Sequence, residues 1–189
     1  MINNLLINRT ANIALVAMVL MIGVMYCKSS AYEVVYVKSS INGKEYLVRN
    51  LSNKQQAADL LANLSINLER LVDYLSEQSD ENKLDDLYDK YVEKIDKISK
   101  TKFKEDVKRL INNFNPDEFS ESTPDAQYTS YSVNKGEKLV FCLRSRKEEE
   151  NMVKKNVMMF VALHELAHLM TKSVGHKPEF WSNFKILLK

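Results

Sequence analysis

The sequence predicts a helix-dominated α+β fold. The parts expected are an N-terminal transmembrane helix, a small β-hairpin, a helical subdomain, and a C-terminal domain with a short sheet around a central helix. Two observations favour helices over a turn-rich all-β fold. The 189 residues include 4 glycines and 3 prolines, which is few for a chain with many tight turns. Apolar residues also recur at steps of three and four through the middle of the chain, which is the period of an amphipathic helix.

Composition and charge limit the class of protein. With 45% hydrophobic and 28% charged residues, the chain is long enough for one domain with a true core and a smaller appendage. Its 27 basic and 25 acidic residues give a net charge of +2, too small for a field that would recruit nucleic acid. We therefore expect no nucleic-acid partner, and the oligomeric state is left open.

An uncharged stretch, residues 10–27, follows a short tail of residues 1–9 and lies between Arg9 and Lys28. A membrane-spanning helix needs ~20 apolar residues, whereas the core of a signal peptide has ~7 to 15. Residues 10–27 are therefore predicted to be an uncleaved membrane anchor. A signal peptide cleaved after Ala31 and a buried core helix are the alternatives. Basic residues are slightly more frequent on the C-terminal side, which slightly favours a cytosolic C-terminal domain and leaves the orientation in the membrane open.

Two blocks are predicted to follow the anchor. Residues 28–52 should form a β-hairpin, because Asn42-Gly43 lies between two β-rich runs and both turn positions favour positive φ. Residues 53–115 should form a helical subdomain, because three amphipathic patterns occur there. These patterns cover residues 57–75, 84–98 and 103–114.

The C-terminal domain is predicted to comprise residues 116–189. A polar loop, NPDEFSESTPDAQ, leads into it, and two short strands follow around the turn Asn134-Lys135-Gly136. A long helix should then begin near Asn151. It is apolar on nearly every side from Val157 onward, which is typical of a helix in the middle of a domain.

All three histidines of the chain lie between residues 164 and 176, within ALHELAHLMTKSVGH. His164 and His168 are four residues apart on the predicted helix, so both imidazoles can contact one cation. Glu165 completes the pattern HExxH, in which two histidines hold zinc and the glutamate acts as general base. The sequence therefore predicts a Zn²⁺ site with His164 and His168 as ligands and Glu165 as the catalytic residue.

A third ligand must come from the segment after the helix. Gly175 favours a turn that returns His176 toward the site, and Pro178 suits the first turn of another helix. Glu179 is the alternative ligand, as in His/His/Glu zinc sites. We expect His176 to be the third ligand, because packing in a hydrophobic core would not explain as simply why three histidines cluster around one turn.

Residues 131–189 resemble the minimal zincins of the WLM and SprT-like group, which carry a gluzincin-like HExxH helix. The shared motifs are NKGEKLVFCLR, HELAH, and a following histidine with Phe180-Trp181. WLM members typically keep five residues between the second and third histidines, whereas residues 169–175 separate His168 from His176. The chain also resembles membrane-anchored proteins encoded by large DNA viruses, which implies a single-pass protein of a host or virion membrane.

The motif and the resemblance together predict a membrane-anchored zinc metallopeptidase acting on a protein or peptide substrate. Glu165 would deprotonate a zinc-bound water that attacks the peptide carbonyl, with Tyr128 and Tyr131 as candidate donors to the oxyanion. The alternative is a non-catalytic structural or adaptor protein, held to the membrane by residues 10–27, whose zinc only stabilises the fold. Three histidines with a glutamate favour an open, catalytic site over a closed site with four ligands.

Overall fold

The computed structural model describes residues 2–29, 33–93, 98–145 and 151–189. They belong to two compact units, Met1–Glu33 and Val34–Lys189. The first unit is built on a single helix, and the second contains the sheet, the remaining helices and all three histidines.

Parts of two sequence predictions lie outside the described residues. These are the cleavage point after Ala31 and residues 94–97 of the second amphipathic pattern.

The predicted transmembrane anchor at residues 10–27 is wrong. These residues belong to α1, Ile2–Ser29, whose large apolar side chains from Ile13 to Met25 are exposed. Among the described residues, none of the helices combines the length and the apolar character that crossing a bilayer requires. The expected localisation as a single-pass membrane protein is therefore wrong as well.

One mixed sheet of five strands runs through the described part of the second unit, in the order β1-β2-β3-β5-β4. The predicted hairpin is confirmed, because β1 and β2 pair antiparallel around a turn in which Gly43 has φ +71°. The β2–β3 and β3–β5 pairs are parallel, and β4–β5 is antiparallel. The hairpin and the later strands thus form a single sheet. The strands are β1 Val34–Lys38, β2 Glu45–Arg49, β3 Phe119–Glu121, β4 Tyr131–Val133 and β5 Lys138–Phe141.

Strand β3 lies where the sequence predicts a polar loop. All three of its residues are buried, although two of them are polar. The Glu121 carboxylate accepts a hydrogen bond from Arg144 Nε at 2.5 Å and another from the Arg49 backbone nitrogen at 2.9 Å. A short central strand that depends on such distant partners carries no alternating apolar pattern, which is why local periodicity misses it.

The helices confirm the helix-dominated α+β class. Helix α5 begins at Lys155 rather than near Asn151, because Met152 pairs with Arg144 in an isolated β-bridge. It packs against α2, α4 and α6 and also contacts β4, so the predicted central position is confirmed. The helices of the second unit are α2 Lys54–Glu77, α3 Glu81–Leu87 with a π-helical turn Tyr88–Val92, α4 Lys100–Asn113, α5 Lys155–Met170 and α6 Pro178–Leu187.

The turn between β4 and β5 lies against the end of α4. Asn134, Lys135 and Gly136 all have positive φ. A Cβ atom at Gly136 would lie 1.9 Å from the carbonyl oxygen of Asn113, so only glycine allows this approach. The close contact carries Lys135 to the C-terminal end of α5.

Candidate metal centre

Helix α5 and the loop that follows it bring the three histidines together. His164 and His168 project from one side of α5, and His176 comes from the loop between α5 and α6. The three ring centroids form a nearly equilateral triangle with sides of 5.0, 4.8 and 4.9 Å. Their ligand nitrogens all lie within 4.8 Å of one another, and the Nε2 atoms of His164 and His176 are 2.9 Å apart.

This donor set fits a zinc ion. The ligand nitrogens of a tetrahedral zinc site are about 3.4 Å apart when the Zn–N distance is ~2.1 Å, so small side-chain movements would suffice. Burial, with the nearby charges of the other two histidines and Lys135, lowers the pKa of His168 to about 4. Burial and the charge of His176 also lower the pKa of His164. Both imidazoles are therefore neutral near pH 7, which is the form that binds a metal.

Two aromatic residues of helix α6 contact the histidine triangle. The Phe180 ring centroid lies 4.8, 4.4 and 4.6 Å from the centroids of His164, His168 and His176, and its side chain is fully buried. Trp181 Nε1 donates a hydrogen bond to the carbonyl oxygen of His176 at 3.1 Å. The Phe180-Trp181 pair therefore packs under the histidines and fixes the backbone of the loop histidine.

Glu165 lies in the same cleft as the histidines, which has a volume of about 430 Å³. Its side chain is only 5% exposed, and no described residue forms a hydrogen bond with its carboxylate. Burial raises its pKa from 4.5 to about 7. An unpaired carboxylate with a pKa near neutrality can both accept and release a proton, as a general acid–base group must.

The opposite wall of the cleft comes from β4 and the residues around it. Tyr128 and Tyr131 both line the cleft, with ring centroids 6.2 Å apart. Tyr128 is exposed and Tyr131 is half-buried. Strand β4 is the last strand in the sheet order, so its outer edge has no strand partner among the described residues.

Glu179, the alternative third ligand, lies away from the histidine triangle. Its Oε1 accepts a hydrogen bond from Lys102 Nζ at 2.6 Å, and its Oε2 accepts one from the Ser173 backbone nitrogen at 3.3 Å. Burial alone would raise the pKa of Glu179, but these hydrogen bonds lower it to about 2. The carboxylate is thus committed to Lys102 and the loop backbone.

Two cationic side chains, which the sequence analysis did not identify as functional, donate hydrogen bonds to carbonyl oxygens at the C-terminal end of α5. Lys135 Nζ donates to the carbonyl oxygens of residues 171, 172 and 173 at 2.7, 2.7 and 3.3 Å. Arg109 donates to the Met170 carbonyl oxygen at 2.8 Å. Cations at a helix C-terminus satisfy its unpaired carbonyl groups and oppose the negative end of its dipole.

A buried carboxylate organises these contacts from α4. Asp106 is fully buried and accepts hydrogen bonds from Lys102, Arg109 and Asn183 at 2.8, 2.5 and 3.1 Å. The sequence does hold a signal for it, because position 106 falls within the apolar stripe formed by Phe103, Val107 and Leu110. A carboxylate at such a position indicates a buried polar network.

Comparisons with known proteins give viral relatives. Protein R325 of Acanthamoeba polyphaga mimivirus, an uncharacterized protein, is 36% identical over 185 residues, which cover 98% of this chain and 82% of R325. Uncharacterized protein 136R of Invertebrate iridescent virus 6 is 35% identical over 60 residues, which cover 31% of this chain and 33% of 136R. No protein-family model matches the chain.

Among solved structures, the crystal structure of Wss1 from Saccharomyces cerevisiae matches with a TM-score of 0.36 and 23% identity. The match covers 47% of this chain and 72% of Wss1. A mutant of Wss1 gives the same TM-score with 22% identity.

The expected resemblance to viral proteins is confirmed in part. Both relatives are viral, whereas the expected membrane-anchored form is contradicted by the helices described above. The match to R325 extends over nearly the whole chain and includes the three histidines and Glu165 in its span. The chain therefore belongs to the family of mimivirus protein R325.

Proposed function

We propose that the chain is a zinc-dependent metallopeptidase in which Glu165 is the general acid–base residue. The observation that carries the proposal is the unpaired Glu165 carboxylate, which lines the same cleft as three converging imidazoles. In the described part of the chain this cluster offers three metal-binding side chains. Catalytic zinc sites use three protein ligands and leave one position for water or substrate, whereas structural sites use four.

His164, His168 and His176 would each hold the ion through one ring nitrogen. Bound zinc would supply Lewis acidity, which polarises a carbonyl group and makes water more acidic. The neutral imidazoles of His164 and His168 can bind the ion near pH 7 without releasing a proton.

Glu165 would move the proton. Its carboxylate accepts a proton from the attacking water, and the same carboxyl group then donates that proton to the nitrogen of the leaving amine. A pKa of about 7 suits both steps, because a group that works in both directions is most effective near the operating pH. The low exposure of Glu165 also keeps bulk water from competing for this proton.

The wall formed by β4 suits a peptide substrate. An extended peptide can hydrogen-bond its main chain to the free edge of a sheet, and β4 presents that edge beside the histidines. The hydroxyl groups of Tyr128 and Tyr131 are the candidate donors to the oxyanion that develops as the peptide bond breaks.

The variant Glu165→Gln tests the proposal. Zinc content would be measured by elemental analysis, and cleavage would be followed by mass spectrometry on an unfolded protein substrate. We expect about one zinc per chain in both proteins, with cleavage lowered by about 10²- to 10⁴-fold in the variant. The matched control is Glu105→Gln, which changes an exposed glutamate of α4 and should leave cleavage unchanged.

Cleavage that persists in Glu165→Gln at the rate of the control would show that the mechanism is wrong. If the natural chain binds zinc but cleaves no substrate tested, the result would favour the non-catalytic alternative, in which zinc only stabilises the fold.

A further inference from the structure

The segment between His168 and His176, residues 169–175, leaves helix α5 after Met170 and must return His176 to the triangle. Ordering such a segment costs conformational entropy. A loop that is already ordered in the metal-free chain therefore binds the ion more tightly than one that must be ordered on binding. The contacts that order this loop are determinants of metal affinity even though they do not touch the ion.

One carboxylate bridges the two ends of the segment that carries His176. Ser173 lies three residues before His176 and Glu179 lies three residues after it. Glu179 Oε2 accepts a hydrogen bond from the Ser173 backbone nitrogen at 3.3 Å, so the chain closes on itself around the histidine. The other oxygen, Oε1, is 2.6 Å from Lys102 Nζ. We call Lys102, Ser173 and Glu179 the loop clamp.

Lys102 joins the loop clamp to helix α4. Lys102 Nζ also donates to Asp106 Oδ2 at 2.8 Å, one helical turn further along α4. Asp106 is fully buried and bonds to Asn183 of α6. A lysine held between two carboxylates, one of them buried, has a defined position from which to hold Glu179.

We propose that Lys102 and Glu179 are positioning residues for the metal centre and that they hold His176 in place through the loop backbone. The helical middle of the chain thereby takes part in metal binding. This inference rests on the metal site of the proposed function but does not depend on peptidase activity.

The test is the zinc affinity of the full chain, measured by competition with a chromophoric chelator. Lys102→Met and Glu179→Gln should each weaken zinc binding about tenfold, at the low end of the 10- to 100-fold range for residues that orient metal ligands. Lys102→Arg keeps a cation within reach of Glu179 and should restore most of the affinity.

Lys104→Met is the matched control. Lys104 lies on the same helix and forms an ion pair of 2.9 Å with Asp85, but it does not contact the loop. Its zinc affinity should equal that of the natural chain. The visible absorption of the cobalt-substituted protein should change in Lys102→Met and stay unchanged in Lys104→Met, since this spectrum reports the geometry of the ligands rather than overall stability.

A double variant completes the test. If Lys102 and Glu179 act as one unit, Lys102→Met/Glu179→Gln should bind zinc about as well as either single variant. Equal zinc affinity and equal cobalt spectra in Lys102→Met and Lys104→Met would overturn the inference, and so would additive losses in the double variant. If Lys102→Met fails to fold by circular dichroism, Glu179→Gln, which keeps the size of the side chain, carries the test.

The same titration separates this inference from the proposed function. A chain that shows these affinities and cleaves nothing would remove the peptidase and leave the clamp in place. If the chain cleaves its substrate through Glu165 but all clamp variants bind zinc equally well, the proposed function stands and the loop clamp is wrong.

Discussion

Two neighbouring side chains on α5 have pKa values shifted in opposite directions by the same burial. Burial raises the pKa of Glu165 to about 7 and lowers that of His168 to about 4. Both shifts favour the uncharged form of the side chain. In the metal-free protein His168 is therefore uncharged near neutral pH, and Glu165 is uncharged below about pH 7.

The pH dependence of stability follows from the Glu165 shift. Between pH 4.5 and about 7 the folded chain holds a proton on Glu165 that the unfolded chain has lost, so its contribution to stability falls as the pH rises. The shift corresponds to about 3 kcal/mol as an order of magnitude. Glutamine stays neutral, so metal-free Glu165→Gln should gain about 2–3 kcal/mol relative to the natural chain between pH 5 and pH 8.

Urea unfolding in the presence of a chelator at both pH values measures this difference. His168 titrates in both proteins and cancels in the comparison. A stability difference that is the same at pH 5 and pH 8 would contradict the raised pKa of Glu165.

The identity of the third ligand can be decided by a pair of variants. His176→Ala removes a nitrogen of the triangle and should abolish stoichiometric zinc binding. Glu179→Gln should still bind one zinc per chain at saturating zinc, because that carboxylate lies with Lys102. Elemental analysis after dialysis against zinc measures both, and the opposite pattern would assign the ligand to Glu179.

Residue-scale prediction succeeds where the informative spacing is local. His164 and His168 are one helical turn apart, so their convergence follows from the geometry of any helix. The contact between Lys102 and Glu179 joins residues 77 apart and depends on how α4 packs beside α6. No local spacing encodes that packing, so the sequence suggests Glu179 as a ligand when the fold gives it another partner.

At the scale of elements, the turn between β4 and β5 packs closely against the end of α4. Among the described glycines, Gly136 in this turn has the least space for an added Cβ atom. The turn carries Lys135, which bonds three carbonyl oxygens at the end of α5. One turn therefore joins the sheet, α4 and the histidine helix.

Gly136→Ala should strongly destabilise the second unit. The added methyl group would collide with the Asn113 carbonyl oxygen, and φ is +122°, so we expect a loss of about 2–4 kcal/mol. Gly43→Ala is the control, because its φ is +71° but its nearest neighbour is a flexible lysine side chain at 3.8 Å. It should cost about 1 kcal/mol. Urea unfolding of the metal-free proteins measures both, and equal losses would mean that the close approach to α4 is unimportant.

Elements with strong local signals were predicted well, and the others were not. The hairpin at Asn42-Gly43 and the amphipathic helices follow from turn chemistry and periodicity. Strand β3 has three residues and depends on Arg49 and Arg144 from other strands. Its position becomes evident only when the whole sheet is assembled.

At the scale of the molecule, the unit Val34–Lys189 contains the three histidines, Glu165, both walls of the cleft and the loop clamp. A chain that starts at Glu33 should therefore bind zinc with the affinity of the full chain. Zinc should raise the melting temperature of both chains, because a ligand that binds only the folded state stabilises it by mass action. Differential scanning fluorimetry with zinc and with a chelator measures this, and loss of zinc binding in the shorter chain would show that residues 1–32 contribute to the site.

The overall class followed from composition and periodicity, but the topology did not. Scarce glycine and proline with helical periodicity correctly indicate a helix-dominated α+β chain. The parallel pairing of β2 with β3 joins a hairpin near the N-terminus to strands more than seventy residues later. The length of the uncharged run near the N-terminus was the misleading feature, because it lies close to the limit for spanning a bilayer.

The ring of Phe180 makes the two faces of the histidine triangle different. A centroid nearly equidistant from three others lies above or below their plane, so the aromatic ring closes one side of the triangle. The cleft with Glu165 and the tyrosines lies on the side lined by the histidines themselves. An ion held by the histidines would therefore be covered by the aromatic ring on one face, and the cleft would give water and substrate access to it.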